Sequence, residues 1–585
     1  MSETSIVKEY IKRYKVAYII GITIVFVINT AIMRIPQLTG EVTDGIANGS
    51  LNLEQVKEVL WRLVTVVMTI YLGRISWRYC LIGTARKIEK NIRASLYEKW
   101  LKLDITYFNS HKTGNLMAYA TNDLGAIIRM TGVGIVIIFD ALILGLMVIY
   151  NMATYVDLKL TLIAIIPMPF IAIGGIYLKD IINTRFFAKQ QSFAGLSDLV
   201  QESFAGIRVI KSFVQEKYNT EEFEAVCNDN YDKNIDLAKI SAILTPTMTL
   251  LVGLSLLTSI AYGGYMTMTN QISVGEFVAF NQYILMLSGP MGAISNAITM
   301  YAQGVAAIRR VEEVLNAPEI VIDTAESIHK DELDGSISIR NFNFDYPDTN
   351  SPALRDINLE LKSGETLAIL GRTGSGKTTL MNILLRFYNI DSDKVSIGGY
   401  DIMDLGLKSV RKNISYVPQD NFLFSDTVTN NIGFGLEHVE LDEVVEAAKQ
   451  ANVHQNIVDF PKQYETVVGE KGTMLSGGQK QRISIARALI LNAPILILDD
   501  SLSAVDTKTE EAILDNLKTV RNGKTNIIIA HRISTVRNAD KIVVMDNGKI
   551  AEQGTHESLV ALGGIYANMY EQQKLDGAKG DYYER

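Results

Sequence analysis

Residues 366–387 read TLAILGRTGSGKTTLMNILLRF. An apolar run predicts a buried strand, a Gly-rich turn follows from Gly371 to Thr378, and the remainder predicts a helix. Strand, G-x-x-x-x-G-K-T and helix in this order form a phosphate-binding loop in its required context. Gly371, Gly374 and Gly376 let successive backbone N–H groups converge on phosphate oxygens, and the helix N-terminus adds positive potential. Lys377 is placed to reach β- and γ-phosphates, and the Thr378 hydroxyl to ligate Mg²⁺. The loop asks for a nucleoside triphosphate without saying what the nucleotide drives.

The flanking sequence places this loop in an α/β domain. SISIRNFNFDY (336–346) and LRDINLEL (354–361) read as strands by their alternation. About a hundred residues beyond the loop come LSGGQKQRISIARALI (475–490) and PILILDD, an apolar strand that ends in two carboxylates, Asp499 and Asp500. Ser476, Gly477 and Gly478 expose backbone donors at a predicted helix N-terminus, a second phosphate-binding surface. They have no sensible path to a nucleotide already held by Lys377. The simplest arrangement is two such domains head to tail, each completing the other's site.

The first half of the chain has a different character. The sequence has 585 residues, enough for more than one domain, and 48% of them are hydrophobic. Long apolar runs cluster before residue 300, at 17–33, 59–82, 132–153, 159–178, 243–267 and 276–299. Each is long enough for a membrane helix, which needs about 20 mostly apolar residues. No small-residue cleavage site follows the first, so it reads as a retained helix. Lys8, Lys12, Arg13 and Lys15 precede it, and loops two and four carry Arg86, Lys87, Arg93, Lys179, Arg185, Arg208 and Lys211. The short connections 154–158 and 268–275 are poor in basic residues, so both termini and both long loops are expected in the cytoplasm.

Composition excludes several classes. A net charge of −8 argues against nonspecific nucleic-acid binding. Two cysteines, Cys80 and Cys227, make no disulfide framework. A composition change after Ala317-Pro318 sets the expected boundaries: a membrane domain over 1–318, a nucleotide-binding domain over 333–572 and a polar tail over 573–585.

On GRTGSGKT (371–378), VPQD with Gln419, LSGGQ (475–479), LILDD, SAVD (503–506) and IAHR with His531, the chain resembles an ATP-binding cassette (ABC) exporter half-transporter. The resemblance covers nearly the whole length and implies a six-helix, exporter-type α-helical membrane domain fused to an α/β P-loop cassette. It implies that Gly371, Arg372, Thr373, Gly374, Ser375, Gly376, Lys377, Thr378 and Thr379 bind ATP, with Tyr346 stacked on adenine. Ser476, Gly477, Gly478 and Gln479 would face the opposite site, to which the loop of Asp506 crosses. Thr378, Gln419 and Asp499 would hold Mg²⁺, and Asp500, His531 and Gln419 would act in hydrolysis, His531 at the γ-phosphate.

One position departs from the pattern. The residue after the Mg²⁺-holding aspartate is usually glutamate in this family, and here it is Asp500. Loss of one methylene withdraws the carboxylate by about 1.5 Å, and a misplacement near 1 Å costs on the order of 10²-fold. The chain therefore resembles the degenerate subunit of heterodimeric bacterial multidrug exporters. The expectation is a partner half-transporter carrying that glutamate, with a homodimer of two slow sites as the alternative.

The resemblance further suggests YFNSHKTGNLMAYATNDL (107–124) and SFAGIRVIKSFVQE (203–216) as coupling segments, with Glu470 of TVVGEKG as a contact to them. In the membrane, Asp140 lies mid-span, where a charge costs about 3 kcal/mol, and Arg74 or Arg78 is a candidate partner. Met286 and Met291 flank Gly289-Pro290 in the sixth span, a setting that suits varied apolar ligands, with packing against lipid as the favoured reading. The expected activity is export of amphipathic small molecules across a plasma membrane. A lipid or peptide translocator with the same engine, or an ATP-gated channel or sensor, remains the alternative.

Overall fold

The computed structural model describes residues 6–583 except 348, 350, 351, 470, 471 and 473; side chains are not described at 168–169, 171–180, 241, 244, 245, 248, 288, 291, 292, 294, 295 and 576–583. Glu470 and the side chain of Met291 therefore lie outside the described residues. The chain divides into two compact units: residues up to 101 with 113–317, and 102–112 with 318–585. The second break falls where the composition changes. The segment 102–112, at the tip of the first long loop, belongs to the second unit.

The first unit is helical. Its long columns run over Lys15–Ala47, Leu53–Lys102, Thr113–Val156, 158–205 with a break at Ile166-Pro167, 216–268, and Val274–Leu315. These six columns carry the six expected spans, and four of them (53–102, 113–156, 158–205 and 216–268) extend far past the apolar run. Among the described residues, four helices are long and apolar enough to cross a membrane: Lys15–Ala47, Leu53–Lys102, Thr113–Val156 and Thr249–Met268. Half of the side chains of the fourth expected span are not described, and Val274–Leu287 is the described apolar part of the sixth. The sixth helix continues unbroken through Pro290.

The first and last columns are locked by small residues and backbone bonds. A Cβ on Gly275 would sit 2.1 Å from the Gly40 carbonyl, so only glycine permits this approach. Asp44 accepts from Ser273 Oγ (2.6 Å) and Gly275 N (2.7 Å), satisfying a first-turn donor of the last helix. Tyr283 donates to the Met33 carbonyl at 2.9 Å.

In the second unit, β3 (Thr366–Gly371), β6 (Ile414–Val417), β7 (Ile495–Asp499), β8 (Thr525–Ile529), β9 (Lys541–Asp546) and β10 (Lys549–Gly554) form one sheet in the order β10-β9-β3-β8-β7-β6. All neighbours are parallel except β9–β10. A smaller antiparallel sheet orders β2 (Leu354–Leu361), β1 (Ile337–Phe344), β4 (Val395–Ile397) and β5 (Tyr400–Asp401).

Alternation sorts the core. Ala368, Leu370, Leu496, Leu498, Ile542 and Val544 enter one apolar cluster, while Leu367, Ile369, Ile495, Ile497, Val543 and Met545 enter another. The large sheet is thus buried on both faces, as a parallel sheet must be. The second cluster also takes the inward residues of β1 and β2, and Ile105 packs against it.

Candidate functional site

The predicted residues gather at the C-terminal ends of adjacent parallel strands, where α/β sheets place their ligands. β3 ends at Gly371 and leads through the Gly-rich turn into the helix Lys377–Leu384. β7 ends at Asp499, β8 ends two residues before His531, and β6 ends two residues before Gln419. These ends enclose a cavity of about 750 Å³, lined by Tyr346, Thr373, Gly374, Ser375, Gly376, Lys377, Thr378, Thr379, Gln419, Asp499, Asp500 and His531.

The turn is closed by glycine geometry. Gly376 sits at φ +98° with a prospective Cβ 2.8 Å from Leu354, and Gly371 at φ +155° with one 2.4 Å from the Met545 carbonyl. Side chains at either place would collide with packed neighbours. Lys377 is buried, and its ammonium donates to the carbonyls of Gly371 (2.9 Å) and Arg372 (3.0 Å). Burial pushes its pKa down, while the charges of Asp499 and Asp500 push it up.

The acidic side is equally constrained. Asp499 is 2% exposed, and burial raises its pKa; Asp500 adds to that rise, whereas Thr378, Lys377 and Tyr416 oppose it. Asp500 adopts φ +47°, a left-handed conformation that aspartate tolerates better than most residues, and its N–H donates to Ile529 O at 3.0 Å. Gln419 Nε2 approaches Asp500 Oδ2 at 3.4 Å. Tyr346 donates to Thr379 Oγ1 at 2.9 Å and meets Tyr388 edge-on at 5.4 Å, which fixes its ring beside the loop helix.

The cavity suits a nucleoside triphosphate with a hard cation. Ser375 Oγ is buried there with no partner among the described residues, leaving a donor for a phosphate oxygen. The oxygens of Thr378, Gln419 and Asp499 are the donor type Mg²⁺ takes when phosphates and water complete its shell.

Ser476, Gly477, Gly478 and Gln479 stand apart from this cavity. They start the helix Gly477–Leu489, where Ser476 accepts from Gln479 N (3.3 Å) and Gln479 Oε1 accepts from Ser476 N (3.0 Å). The close packing of Gly478 against Ala504 O, 3.0 Å from a prospective Cβ, ties that helix start to the SAVD loop.

Some lining residues escaped the sequence reading. Arg355, Asn547 and Gly548 border the cavity, and Gly548 N donates to Ser375 O at 3.2 Å. The signal was present, since Asn547-Gly548 between two strand patterns is a strong hairpin mark. In the membrane unit, Asp140 pairs with neither arginine. Asn29, 1% exposed on the first column, donates to it at 2.9 Å.

With this geometry in place, the fold and site define a class: a helical membrane unit joined to a P-loop ATPase of transporter type. Residues 18–291 match the family model described as ABC transporter transmembrane region, and residues 354–503 match the one described as ABC transporter. The chain belongs to the ABC transporter family, as an exporter with fused membrane and ATP-binding domains whose ATPase is coupled to transport. It is 39% identical over 566 residues to the probable multidrug resistance ABC transporter ATP-binding/permease protein YheI of Bacillus subtilis (strain 168), covering 97% of each chain. Against the multidrug resistance-like ATP-binding protein MdlA of Escherichia coli (strain K12), identity is 36%, with 98% and 97% covered. Against the ATP-dependent lipid A-core flippase of Syntrophus aciditrophicus (strain SB) it is 35%, with 90% and 88% covered. The fold is similar to the structure of a bacterial Atm1-family ABC exporter with ATP bound: TM-score 0.77, 24% identity, 96% of this chain and 98% of that one.

Proposed function

We propose that this chain is one half of a paired exporter of amphipathic small molecules, and that the pocket on its own phosphate loop binds MgATP but hydrolyses it slowly. The observation that carries the pairing is the separation of the two phosphate-binding surfaces. The cavity is lined by Thr373–Thr379 of the loop, with Gly371 and Arg372 outside its lining, whereas Ser476–Gln479 do not line it. A second chain supplies the missing surface, and this chain's intact LSGGQ completes the partner's pocket. The exposed apolar side chains of Phe204, Val209, Phe213 and Val214 around the short helix Ile207–Ser212 fit the same reading. They suit a groove on another subunit.

Within the pocket, Lys377 leaves its loop carbonyls to meet phosphate oxygens, the glycine N–H groups orient the chain of phosphates, and Tyr346 supports the base. Bound Mg²⁺, held by Thr378, Gln419 and Asp499, would neutralise charge on the phosphates. Asp500 is the group that orients the attacking water and accepts its proton, with His531 at the γ-phosphate. The short side chain of Asp500 sets that carboxylate back, so this pocket mainly holds nucleotide. The partner carries glutamate at the matching position. Both termini are cytoplasmic and the membrane is the plasma membrane.

ATPase assays of this chain alone, and together with a half-transporter bearing that glutamate, test the reading. Turnover should require the second chain and vanish when its glutamate is replaced. Vigorous hydrolysis by this chain alone defeats the slow-pocket assignment. The similarity to a lipid A-core flippase keeps a lipid cargo as the second reading. Dye uptake into inverted vesicles, compared with fluorescent-lipid flipping, separates the two.

A further inference from the structure

His531 lines the nucleotide cavity, yet its ring makes no hydrogen bond among the described residues. The direction of that ring therefore rests on its backbone. Immediately after it, the short helix Ile533–Val536 begins at Arg532, which offers no side-chain cap. The first N–H of such a helix needs an acceptor from elsewhere.

The acceptor comes from the far end of the chain. Gln573, on the C-terminal helix Ile565–Tyr583, receives the Ile533 N–H on Oε1 at 2.8 Å. Its Nε2 donates to the His531 carbonyl at 2.7 Å. A single amide thus brackets Arg532 and fixes the peptide planes on both sides of it. On the opposite flank, Glu510, with a side chain 3% exposed, accepts from Arg532 Nη1 (3.1 Å) and Thr535 Oγ1. Those bonds hold Arg532 and Thr535 but leave the His531 carbonyl free to swing. Gln573 opens the stretch that composition marks as a polar tail, and its contacts make it part of the ATP-binding unit.

We propose that Gln573 is a positioning residue for His531, so that the C-terminal helix sets how well the pocket distinguishes ATP from ADP. The inference rests on the reading that the γ-phosphate lies at His531. Gln573 touches neither nucleotide nor metal and acts only by aiming the imidazole. A side chain preorganised in this way favours the nucleotide with the terminal phosphate and leaves affinity for the shorter one alone.

The test measures MgATP and MgADP affinity of the full chain in lipid nanodiscs, for wild type, His531→Ala, Gln573→Met and the double variant, with melting temperature as a control. His531→Ala should lower the ATP-over-ADP preference about tenfold. Gln573→Met should lower it at least threefold with ADP affinity unchanged, and the double variant should match His531→Ala, because residues acting through one another do not add. Gln573→Glu keeps the acceptor for Ile533 but loses the donor to His531, and should behave like the methionine variant. An unchanged preference in both Gln573 variants, or equal weakening of ATP and ADP, overturns the inference. An unchanged preference in His531→Ala overturns the reading of the pocket and the inference with it.

Discussion

The Lys377 ammonium donates to the Gly371 carbonyl at 2.9 Å, at the mouth of its own turn. Two backbone carbonyls are its partners, and a phosphate must offer more than they do. Lys377→Ala removes a charge-assisted bond of about 1.5–3 kcal/mol, so MgATP affinity should fall by roughly 10- to 100-fold. Equilibrium binding of MgATP to the full chain measures it. Melting temperature, measured alongside, reads any stability lost with the bonds from the lysine to the Gly371 and Arg372 carbonyls.

Asp500 allows a gain-of-function test. Asp500→Glu returns the carboxylate to the expected reach and should raise hydrolysis at this pocket by about 10²-fold. Glutamate tolerates the φ of +47° less well than aspartate, which costs some stability. Single-turnover hydrolysis, compared with the melting temperature, shows both effects. Unchanged hydrolysis in a variant that still melts cooperatively would mean that reach is not what limits this pocket.

Asp499 carries a signed prediction. Its carboxyl is raised above the usual range mainly by burial, so the fold favours the neutral form. The stabilisation from that preference is fully present below the unfolded pKa and is lost as pH rises through the raised folded one. At neutral pH without metal, Asp499→Asn should therefore raise the melting temperature by about 2–4 °C for each kcal/mol of relieved desolvation. The same variant should abolish the further stabilisation that MgATP confers. In the unmodified chain, Mg²⁺-dependent ATP binding should fade on acidification at a higher pH than an ordinary aspartate would allow.

In the membrane unit, Arg310 grips Asp123 through Nε at 2.9 Å and Nη2 at 2.5 Å, joining the third and sixth columns. Asp123 is 8% exposed, while the arginine side chain is nearly half exposed, so solvent screens part of the pair. Asp123→Asn should cost about 1–2 kcal/mol, and the double variant with Arg310→Gln should recover much of it. Thermal unfolding in detergent reads the cycle. Simple additivity would mean that the two residues do not act as a pair.

Asn29 and Asp140 give a smaller test. Asp140→Asn preserves an acceptor for the buried Asn29 amide, whereas Asp140→Ala leaves that donor unpaired, at a cost of about 1–3 kcal/mol. Comparable stability of the two variants would remove the packing role.

The sequence reads best where chemistry demands local geometry. Gly371 to Thr378 is recognisable because a backbone that cradles phosphate tolerates few alternatives, and the strands 337–344 and 354–361 alternate except where register shifts between Ile339 and Phe344 break the phase. The two apolar clusters follow from the same alternation. Partners from distant parts of the chain were not readable. Nothing in the composition of a polar tail links Gln573 to His531, because the bond depends on where one helix face passes a loop. Asp140 attracted the arginines on charge alone, yet the neutral, fully buried Asn29 meets it, since an amide avoids desolvating a second ion. The Asn547-Gly548 turn was readable as a hairpin but not as a wall of the pocket, because that role comes from β9 lying beside β3.

The placement of 102–112 with the second unit has a practical bearing on dissection. Partly buried Ile105 packs against that unit's apolar cluster, although it lies more than two hundred residues before the rest of the domain in the sequence. A fragment begun at Pro318 would lack that contact and leave the apolar surface beneath it open to solvent. Supplying the 102–112 peptide in trans should improve the fragment's solubility, and crystallisation efforts on the isolated ATPase would do well to graft it back.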